Sequence, residues 1–472
     1  MDQFITINHP RLIISAHKGG AGKTIFTLIL IALLKEKGFK VAPFKKGPDY
    51  IDAGWLGRIA HWPCRNLDLF LFDPVYNLYS FYIGSRDSDL AVIEGNRGLF
   101  DGVDIDGSCS TESLAKLLKS PILLVVDCTK STRSIAALIK GFIDFNSELQ
   151  IKGIILNHVA NPRQEAIIRG AIEKYVGVPV VGLIPRLRDI IKERHLGLIT
   201  SYEEDLELIE KLKEKVKDNI DLNLIIKIAK EAPSLRVPCK INGNTEEFPV
   251  KIGVFNDSAF QFYYSENLEM LTYHGAKLIF IDALKENKIP GDLDGLYLGG
   301  GFPELYADIL AENETLKRDV KSFIEEGMPV YAECGGLMYL GEEIEWQEKK
   351  FPMAGVLSIK FKISKKPYGH GYVIAKVIKD NPFYPQGDII KGHEFHYSYP
   401  VEIKLKEGMG YVFQLEKGVG FNGKVDGIHY KNLLASYTHI HVFGVKYWAS
   451  NFVKLAYSNK IQLNKTKEVQ DV

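Results

Sequence analysis

The chain has 472 residues, and 59 lysines and arginines balance 59 aspartates and glutamates. This length predicts two or three domains, and the charge balance provides no overall field that would attract nucleic acid or a membrane surface. The apolar runs are too short to span a bilayer, and no secretory signal is recognisable. Five cysteines without a C-x-x-C pair argue against a disulfide framework or a zinc site. We therefore expect a cytoplasmic protein that binds neither nucleic acid nor membranes.

A glycine-rich loop at residues 18–24, with the sequence KGGAGKT, is the most informative segment. It follows the apolar run Leu12–Ser15 and precedes an apolar stretch, so we expect a strand, a turn and a helix in this order. Glycines allow successive backbone N–H groups to face phosphates, and the helix N-terminus adds positive potential. The segment predicts an ATP site formed by Lys18, Gly19, Gly20, Gly22, Lys23 and Thr24.

Individual side chains of this loop have distinct expected roles. Lys23 would reach the β- and γ-phosphates, and the hydroxyl of Thr24 would ligate Mg²⁺. The ordinary pattern requires glycine at position 17, where this chain has His17. Lys18 is the additional lysine of this deviant form of the loop. We expect Lys18 to contact phosphate from within the protomer or across a homodimer.

Short apolar segments alternate with helical ones through the first half, which predicts parallel pairing in a doubly wound α/β sheet. Ligands of such sheets bind beyond the carboxyl ends of the strands. The predicted strands are Leu12–Ser15, Lys40–Phe44, Leu90–Ile93, Ile122–Val126, Gly153–Leu156 and Val180–Leu183. The predicted helical segments include Ser131–Phe145, Gln164–Val176 and the charged stretch Tyr202–Glu231.

Acidic residues follow two of these strands, where phosphoryl transfer needs carboxylates for Mg²⁺ and cations for the moving phosphoryl group. Glu94 ends a buried strand and is predicted to ligate the metal together with Thr24 and Asp52. Asp49 and Asp52 would share a second metal or position an acceptor carboxylate, and Lys46 would steer an anionic substrate. Ordinary turn chemistry is the alternative for each acid.

Three further residues are candidates in this half. Lys45 would steer an anionic substrate together with the lysine that follows it. Asn157 follows the fifth predicted strand, where its amide could bond to adenine, and a turn or capping role fits it equally well. Asp127 is compatible with a metal ligand or with a turn residue.

Proline, asparagine and glycine interrupt the pattern after the charged stretch. We therefore predict a first domain over 1–231, a linker over 232–248, a second domain over 249–458 and a flexible tail over 459–472. The second α/β series has strand candidates at Val250–Phe255, Lys277–Asp282, Gly295–Leu298 and Val330–Ala332.

Cys334 lies between an apolar strand and the sequence Gly335-Gly336, which opens a helical pattern. This arrangement is typical of a nucleophile elbow, a tight turn that exposes one reactive side chain at a helix N-terminus. We expect the helix end to lower the pKa of the thiol. Backbone N–H groups of Gly335 and of a second glycine loop, at Gly300 and Gly301, would stabilise an oxyanion. An inert buried cysteine is the alternative.

A thiolate nucleophile needs a base, and two histidines near the C-terminus are candidates. His439 and His441 lie two residues apart on a predicted strand, so one face of it would present both. A structural or metal-binding pair is the alternative, and no acid that would orient either histidine is evident. His393 and Glu394 belong to another polar cluster that could line a site for a large, flat substrate with carboxylates.

These segments together resemble the cobyrinate a,c-diamide synthase family from end to end. The matching segments are residues 18–24, 46–52, 65–68, 94–102, 299–306, 333–336, the cluster around His393, and 435–441. The resemblance implies a P-loop, dethiobiotin-synthetase-like, doubly wound parallel sheet followed by a class I glutamine amidotransferase-like α/β domain. It also implies a ligase that uses ATP and glutamine to amidate the a and c acetate side chains of a modified tetrapyrrole in cobalamin biosynthesis.

The resemblance also assigns roles to residues of both halves. It implies Cys334 as the nucleophile and His439 as its base, with His441 as the second choice. Metal binding, ATP binding and substrate activation fall to the matching acids Asp49, Asp52, Glu94 and Asp101. Departures around His17 and Lys45 are closer to the branch thought to amidate sirohaem, and a further branch acts on nickel-sirohydrochlorin. The competing class is a dimeric, partition-type ATPase switch, which the first half alone resembles.

Overall fold

The computed structural model describes residues 3–186, 207–240 and 247–470, with side chains up to residue 462. The chain divides into two units, Met1–Asn242 and Gly243–Val472, and this division falls inside the predicted linker 232–248. None of the helices within the described ranges is long and apolar enough to cross a membrane. All five cysteines are free thiols.

The first unit is an α/β layer structure whose strands and helices alternate along the described chain. Its strands are β1 Phe4–Ile7, β2 Arg11–Ala16, β3 Val41–Lys46, β4 Arg65–Leu67, β5 Leu90–Glu94, β6 Ile122–Asp127, β7 Ile151–Val159, β8 Val180–Pro185 and β9 Leu235–Pro238. Its helices are α1 Lys23–Glu36, α2 Ile51–Ala60, α3 Pro74–Ser85, α4 Thr111–Leu118, α5 Ser134–Phe145, α6 Pro162–Tyr175, α7 Glu207–Val216 and α8 Leu222–Lys230. A 3₁₀ turn, Lys217–Asn219, separates the last two.

Seven of these strands form one parallel sheet in the order β4-β3-β5-β2-β6-β7-β8. Helices cover both faces of such a sheet, so its central strands are largely apolar, and every residue of β2 and β5 is buried. All six strands predicted for this half are present. Their carboxyl ends carry the glycine-rich loop after β2 and the acids after β3 and β5.

The segment predicted as a linker contains ordered structure. β9 pairs antiparallel with β1, with Phe4 opposite Pro238, so part of 232–248 belongs to a two-stranded ribbon of the first unit. The charged stretch Tyr202–Glu231 forms α7 and α8 from residue 207 onward, and residues 202–206 lie outside the described ranges.

The second unit combines a parallel sheet with an antiparallel extension. Its strands are β10 Val250–Phe255, β11 Ala276–Ile281, β12 Gly295–Leu298, β13 Val330–Glu333, β14 Glu343–Trp346, β15 Lys349–Pro352, β16 Ile359–Ile363, β17 Gly369–Val377, β18 Ile389–His396, β19 Ser398–Ile403, β20 Gly410–Lys417, β21 Val425–Tyr430, β22 Leu433–Ser436 and β23 His439–Ile440. Its helices are α9 Ser265–Tyr273, α10 Ala307–Glu312, α11 Glu314–Glu325, α12 Gly335–Leu340 and α13 Trp448–Gln470, with a 3₁₀ turn at Pro303–Tyr306.

The larger sheet of this unit has the order β11-β10-β12-β13-β22-β21-β20-β17-β18-β23, and β15-β14-β16-β19 form a smaller one. β13 and β22 run parallel, with Glu333 opposite Ser436, so the ends of these two strands bring Cys334 and the segment around His439 to one edge. Residues 459–470 of the predicted flexible tail continue α13, which runs to Gln470, and residues 471–472 lie outside the described ranges.

Arg11, fully buried at the start of β2, joins three segments of the first unit. Its guanidinium donates to the carbonyl oxygens of Leu118 at 2.7 Å, Lys119 at 3.3 Å, Pro233 at 2.6 Å and His9 at 3.0 Å. Burial lowers the pKa of Arg11 to about 10, which leaves the group protonated at neutral pH. The guanidinium therefore satisfies carbonyls at the end of α4 and before β9.

We expect Arg11→Met to destabilise the first unit by about 3 kcal/mol, because buried carbonyl oxygens lose a charged donor. Urea unfolding followed by circular dichroism measures the shift. Arg86→Met is the matched control, since Arg86 is exposed and contacts Asp87 at the surface. Equal midpoints for the two variants would contradict this role of Arg11.

Candidate active sites

The glycine-rich loop between β2 and α1 has the backbone that its sequence predicts. Gly20 and Gly22 adopt φ values of 69° and 96°, in the region that favours glycine, and α1 begins at Lys23 directly afterwards. A Cβ on Gly22 would lie 2.1 Å from Nδ2 of Asn157, so a larger residue cannot occupy this position. The loop can present backbone N–H groups and the end of α1 to an anion.

Asn157 supports this loop rather than facing outward for a base. It is buried at the end of β7, and its amide donates to the carbonyl of Ala21 at 2.8 Å. Its Oδ1 accepts from the backbone N–H of His158 at 2.9 Å. Both ends of the side chain therefore have protein partners, and these contacts disagree with the prediction that Asn157 bonds to adenine.

Lys18 pairs with an acid of its own unit. Its Nζ lies 3.0 Å from Asp127, which also accepts from His158 Nδ1 at 3.1 Å. Partial burial would raise the pKa of Asp127, but hydrogen bonds from Thr129, Lys18 and His158 lower it well below its usual range. Asp127 is thus ionised and holds Lys18 beside the loop, an arrangement consistent with the expected action of Lys18 within the protomer.

A buried cluster of one lysine and two acids lies beside the start of α1. Lys45 Nζ is 2.5 Å from Asp52 Oδ2 and 2.7 Å from Glu94 Oε1, and Thr24 Oγ1 donates to the same Glu94 oxygen at 2.8 Å. Lys45 is 2% exposed and already pairs with two acids, so its expected steering of an anionic substrate stays a prediction. Burial opposes its charge, but the two acids raise the pKa of Lys45 far above its ordinary value.

The three predicted metal ligands Thr24, Asp52 and Glu94 therefore lie together, with the ammonium of Lys45 between the two acids. A hydroxyl and two carboxylates match the oxygen ligands of Mg²⁺, which completes its shell with water and nucleotide phosphates. The described residues contain no group of three or more His, Cys, Asp or Glu that could hold a metal alone.

Asp49, Asp101 and Lys46 surround the same strand ends. Asp49 accepts from the backbone N–H of Asp52 at 2.7 Å, and burial together with the charge of Asp52 raises the pKa of Asp49 to about 7. Asp101 accepts from the backbone N–H of Gly98 at 2.8 Å. Lys46 is buried at the end of β3, and burial lowers its pKa.

Cys334 forms the predicted elbow between β13 and α12. It has φ 47° and ψ −95°, a strained backbone for a residue with a side chain. Its backbone N–H donates to the carbonyl of Ser436 at 2.7 Å. Strain of this kind is common where a strand-to-helix turn presents a nucleophile.

The thiol itself differs from the prediction. Cys334 is only 3% exposed, and burial raises its pKa well above the ordinary value. The carboxyls of Glu304 and Glu333 raise it further, and the N–H of Gly335 lowers it too little to compensate. The expectation of an exposed thiol with a lowered pKa is therefore wrong for this structure, because desolvation outweighs the helix end.

The second glycine loop packs directly against the elbow. A Cβ on Gly335 would be 3.0 Å from the nitrogen of Gly301, and a Cβ on Gly300 would be 2.4 Å from Cε1 of His439. The backbone N–H of Gly336 donates to the carbonyl of Gly299 at 3.0 Å. The predicted oxyanion residues Gly300, Gly301 and Gly335 are thus in contact with the elbow and with one histidine.

The two candidate histidines have different surroundings. His439 Nδ1 is 3.4 Å from Glu333 Oε2, and its ring stacks on that of His393 with centroids 4.9 Å apart. His441 lies beyond β23, with Nε2 3.6 Å from Glu266 Oε2. Glu333, which directly precedes Cys334, is the acid that sequence reasoning missed, since it lies 106 residues before His439.

His393 and Glu394 do not act as a pair. His393 is buried beside His439 and bonds to the hydroxyl of Tyr264 at 3.1 Å, and burial lowers its pKa far below the ordinary value. Glu394 accepts from the backbone N–H groups of Val419 at 2.6 Å and Gly420 at 2.8 Å. These contacts give Glu394 a structural role in a loop, in disagreement with the predicted substrate contact.

Comparisons with known proteins define the class of each half. Residues 12–198 match the "CobQ/CobB/MinD/ParA nucleotide binding domain" family, and residues 251–447 match the "CobB/CobQ-like glutamine amidotransferase domain" family. The chain therefore joins a nucleotide-binding domain to a glutamine amidotransferase domain. This confirms the predicted fold class.

Relatives of the whole chain define the family. The chain is 42% identical to a cobyrinate a,c-diamide synthase of Magnetococcus marinus, over 93% of this chain and 96% of that protein. It is 39% identical to an enzyme of the same name from Archaeoglobus fulgidus, over 97% of this chain and 100% of that protein. A relative of this name from Listeria monocytogenes is also 39% identical, over 92% and 96% respectively. The chain belongs to the cobyrinate a,c-diamide synthase family, which confirms the resemblance.

Lys23 yields a pH prediction for the nucleotide site. Its ammonium donates to the carbonyl of Arg97 at 2.6 Å, and burial and the nearby charge of Lys45 lower its pKa to about 8. The protonated form attracts phosphate, so affinity for ATP should fall as pH rises through this pKa. Between about pH 7 and about pH 9 we expect a loss approaching tenfold.

Isothermal titration calorimetry with ATP at both pH values measures this loss. Lys23→Arg is the matched control, because a guanidinium remains protonated over the whole range. Its affinity should change much less with pH, and the difference between the two proteins isolates Lys23 from Asp49 and from ATP itself. A parallel pH dependence in both would contradict the assignment.

Proposed function

We propose that this protein is a glutamine-dependent ligase that converts the a and c acetate side chains of a modified tetrapyrrole into amides at the expense of ATP. The proposal is carried by two separate reactive centres in one chain. The first unit gathers Thr24, Asp52 and Glu94 beside a phosphate-binding loop, and the second has Cys334 in an elbow near His439. Neither centre alone would make an amide from an acid and glutamine.

In the first unit, a substrate carboxylate oxygen would attack the γ-phosphorus of ATP. The bond to the β,γ-bridging oxygen breaks, ADP leaves and an acyl phosphate forms. Mg²⁺ held by Thr24, Glu94 and Asp52 would supply charge neutralisation at the phosphates. Lys23 would contact the β- and γ-phosphates, while Asp49, Asp101 and Lys46 would position the acceptor carboxylate. Ammonia then attacks the carbonyl carbon and phosphate leaves.

In the second unit, Cys334 Sγ would attack the side-chain carbonyl of glutamine. Because burial keeps the free thiol protonated, a base must remove its proton as glutamine binds. His439 would accept that proton and pass it to the departing ammonia. Backbone N–H groups of Gly300, Gly301 and Gly335 would stabilise the oxyanion, and water would release glutamate from the thioester.

The identity of the tetrapyrrole is inferred from the relatives, whose names specify cobyrinate. Sirohaem is one alternative, because the departures around His17 and Lys45 are closer to the branch thought to amidate it. Nickel-sirohydrochlorin, the substrate of a further branch, is the other. Incubating the protein with each compound, ATP, Mg²⁺ and glutamine, followed by mass spectrometry, tests the proposal. Conversion of two acids to amides in cobyrinate alone is expected. Conversion of none of the three would contradict the function.

The dimeric ATPase switch is the competing class. It accounts for the glycine-rich loop and Lys18, but it gives no role to the elbow around Cys334. ATP hydrolysis that does not respond to glutamine and tetrapyrrole together would favour the switch. Homodimerisation and a cytoplasmic location stay predictions.

We expect Cys334→Ala to abolish glutamine-dependent amidation and to retain amidation with a high concentration of ammonia. The reason is that the thiol acts only in releasing ammonia. Amide formation measured with each nitrogen source separates the two steps. Cys239→Ala, in the first unit, should leave both activities near those of the parent protein. Loss of both activities in folded Cys334→Ala would contradict the division between the two centres.

Glu94→Gln should reduce amidation with both nitrogen sources by about hundredfold or more, because a neutral amide is a poor ligand for Mg²⁺ beside phosphates. Glutamate release by the second unit provides an internal check that the variant is folded. Asp144→Asn, which changes an exposed acid on α5, is the matched control. Unchanged turnover with ammonia in Glu94→Gln would refute the metal role.

A further inference from the structure

Two buried histidine–glutamate pairs lie in the second unit, close to the elbow. In one, His439 Nδ1 faces Glu333 Oε2 at 3.4 Å, and in the other His441 Nε2 faces Glu266 Oε2 at 3.6 Å. All four side chains are at most 1% exposed. Either histidine could in principle serve a thiol nucleophile, so the surroundings of each pair must decide between them.

The first pair is tied to the nucleophile through the backbone. Glu333 and Cys334 are consecutive, and the Cys334 N–H donates to Ser436, which lies opposite Glu333 across the parallel strands. The chain returns from Ser436 to His439 within three residues. A shift of the Glu333 carboxylate would therefore move the histidine and the elbow relative to each other.

The Glu333 carboxylate is itself fixed by two further donors. The hydroxyl of Tyr297 donates to Oε2 at 3.1 Å, and the backbone N–H of Ile440 donates to Oε1 at 3.1 Å. The second donor follows His439 directly in the chain. One carboxylate thus holds the ring of His439 and the backbone beside it, which restricts both the rotation and the position of the imidazole.

The second pair has a different neighbourhood. The ring of His441 packs on Tyr264 with centroids 4.7 Å apart and on Phe443 at 5.4 Å. Its Nδ1 accepts from the backbone N–H of Phe443 at 3.3 Å. An Nδ1 that accepts a hydrogen bond leaves the ring proton on Nε2, toward Glu266. These contacts describe a histidine that supports a turn.

We propose that Glu333, the residue immediately before the nucleophile, is the positioning acid of the glutaminase centre and that it acts through His439. The inference rests on the proposed function. Glu333 accepts the Nδ1 proton of His439, so Nε2 on the opposite side of the ring is the atom that takes the thiol proton. The resulting imidazolium is stabilised by the carboxylate until the proton passes to ammonia.

The nearest analogy is the aspartate of a Ser-His-Asp triad, which fixes the tautomer of its histidine without becoming protonated. What differs is the origin of the acid. β13 ends in Glu333, which supplies the orienting carboxylate, and the turn that follows supplies the nucleophile Cys334. The histidine comes from the segment that follows the neighbouring strand β22. Cys334 lies just beyond this strand with φ 47°, so the turn sets the direction of its side chain, while Glu333 Oε2 contacts His439 at Nδ1.

Glu333→Gln tests this role with little change in shape. The Gln oxygen can still accept from Ile440, but its NH₂ would donate to Nδ1 and leave the proton of His439 on Nε2, in the wrong tautomer. We expect kcat for glutamine hydrolysis to fall by about hundredfold or more, with KM changing little. The acidic limb of the kcat/KM profile should move to lower pH by about one unit, because the imidazolium loses its carboxylate.

Glu266→Gln is the matched control, since it makes the same change in the other buried pair. Its glutaminase rate should stay within about threefold of the parent protein. A large loss in Glu266→Gln with none in Glu333→Gln would overturn the proposal and favour His441. Equal, modest losses without a shift of the pH limb would also overturn it, because they would indicate a structural role alone.

A measurement on the unmodified protein covers the case in which Glu333→Gln does not fold. ¹⁵N NMR of histidine-labelled protein, with His439 assigned by comparison with His439→Gln, reports its tautomer directly. We expect the proton on Nδ1, and a neutral ring with its proton on Nε2 would overturn the proposal. Cys334→Ala separates this inference from the proposed function. If Cys334→Ala still uses glutamine, the proposed function fails, whereas an inactive Cys334→Ala with an unaffected Glu333→Gln defeats only the inference.

Discussion

The burial of carboxylates at the ends of parallel strands is the constraint on which both centres depend. A carboxylate removed from water is costly unless a cation or several donors hold it. Glu94 ends β5 and is held by the Lys45 ammonium at 2.7 Å and by the Thr24 hydroxyl. Glu333 ends β13 and is held by neutral donors and His439. The same position in two sheets would therefore serve two chemistries under our proposals, cation binding in one unit and orientation of a base in the other.

The parallel sheets could be predicted from the sequence because their signals are local. Apolar runs of four to six residues separated by helical segments specify β2, β5, β6 and β12 almost to the residue. The ribbon of β1 and β9 could not be predicted, because Leu235–Pro238 is short and its partner lies more than 220 residues earlier. Without that pairing the segment carries only proline and glycine signals, which favour a linker.

The candidate sites show the same contrast between local motifs, which can be predicted, and contacts between distant segments, which cannot. The glycine-rich loop and the elbow at Cys334 are short contiguous motifs, and the structure gives both the predicted backbone. The contacts of Lys45 and Glu333 depend on strand order, and Asn157 and Glu394 have partners on other elements, so no local pattern reveals them. The thiol pKa was mispredicted for a related reason. A helix end is visible in the sequence, whereas the burial that outweighs it depends on the whole fold.

In both units the groups that we propose as reactive are engaged with the protein itself: Glu94 contacts Lys45, and the thiol of Cys334 is buried and protonated. Substrate binding would have to change these states. Burial raises the pKa of Glu94, the ammonium of Lys45 opposes that rise, and the charge of Asp52 adds to it. A metal ion at this position would have to replace or share the contact between Glu94 and Lys45. In the second unit the carboxyls near Cys334 add to desolvation and keep the thiol protonated. A protonated, covered thiol hydrolyses no glutamine until a substrate brings its carbonyl to the sulfur and its base receives the proton. The same buried carboxylates would therefore keep the thiol unreactive in the free protein and, through Glu333 and His439, help to deprotonate it in the complex that we propose.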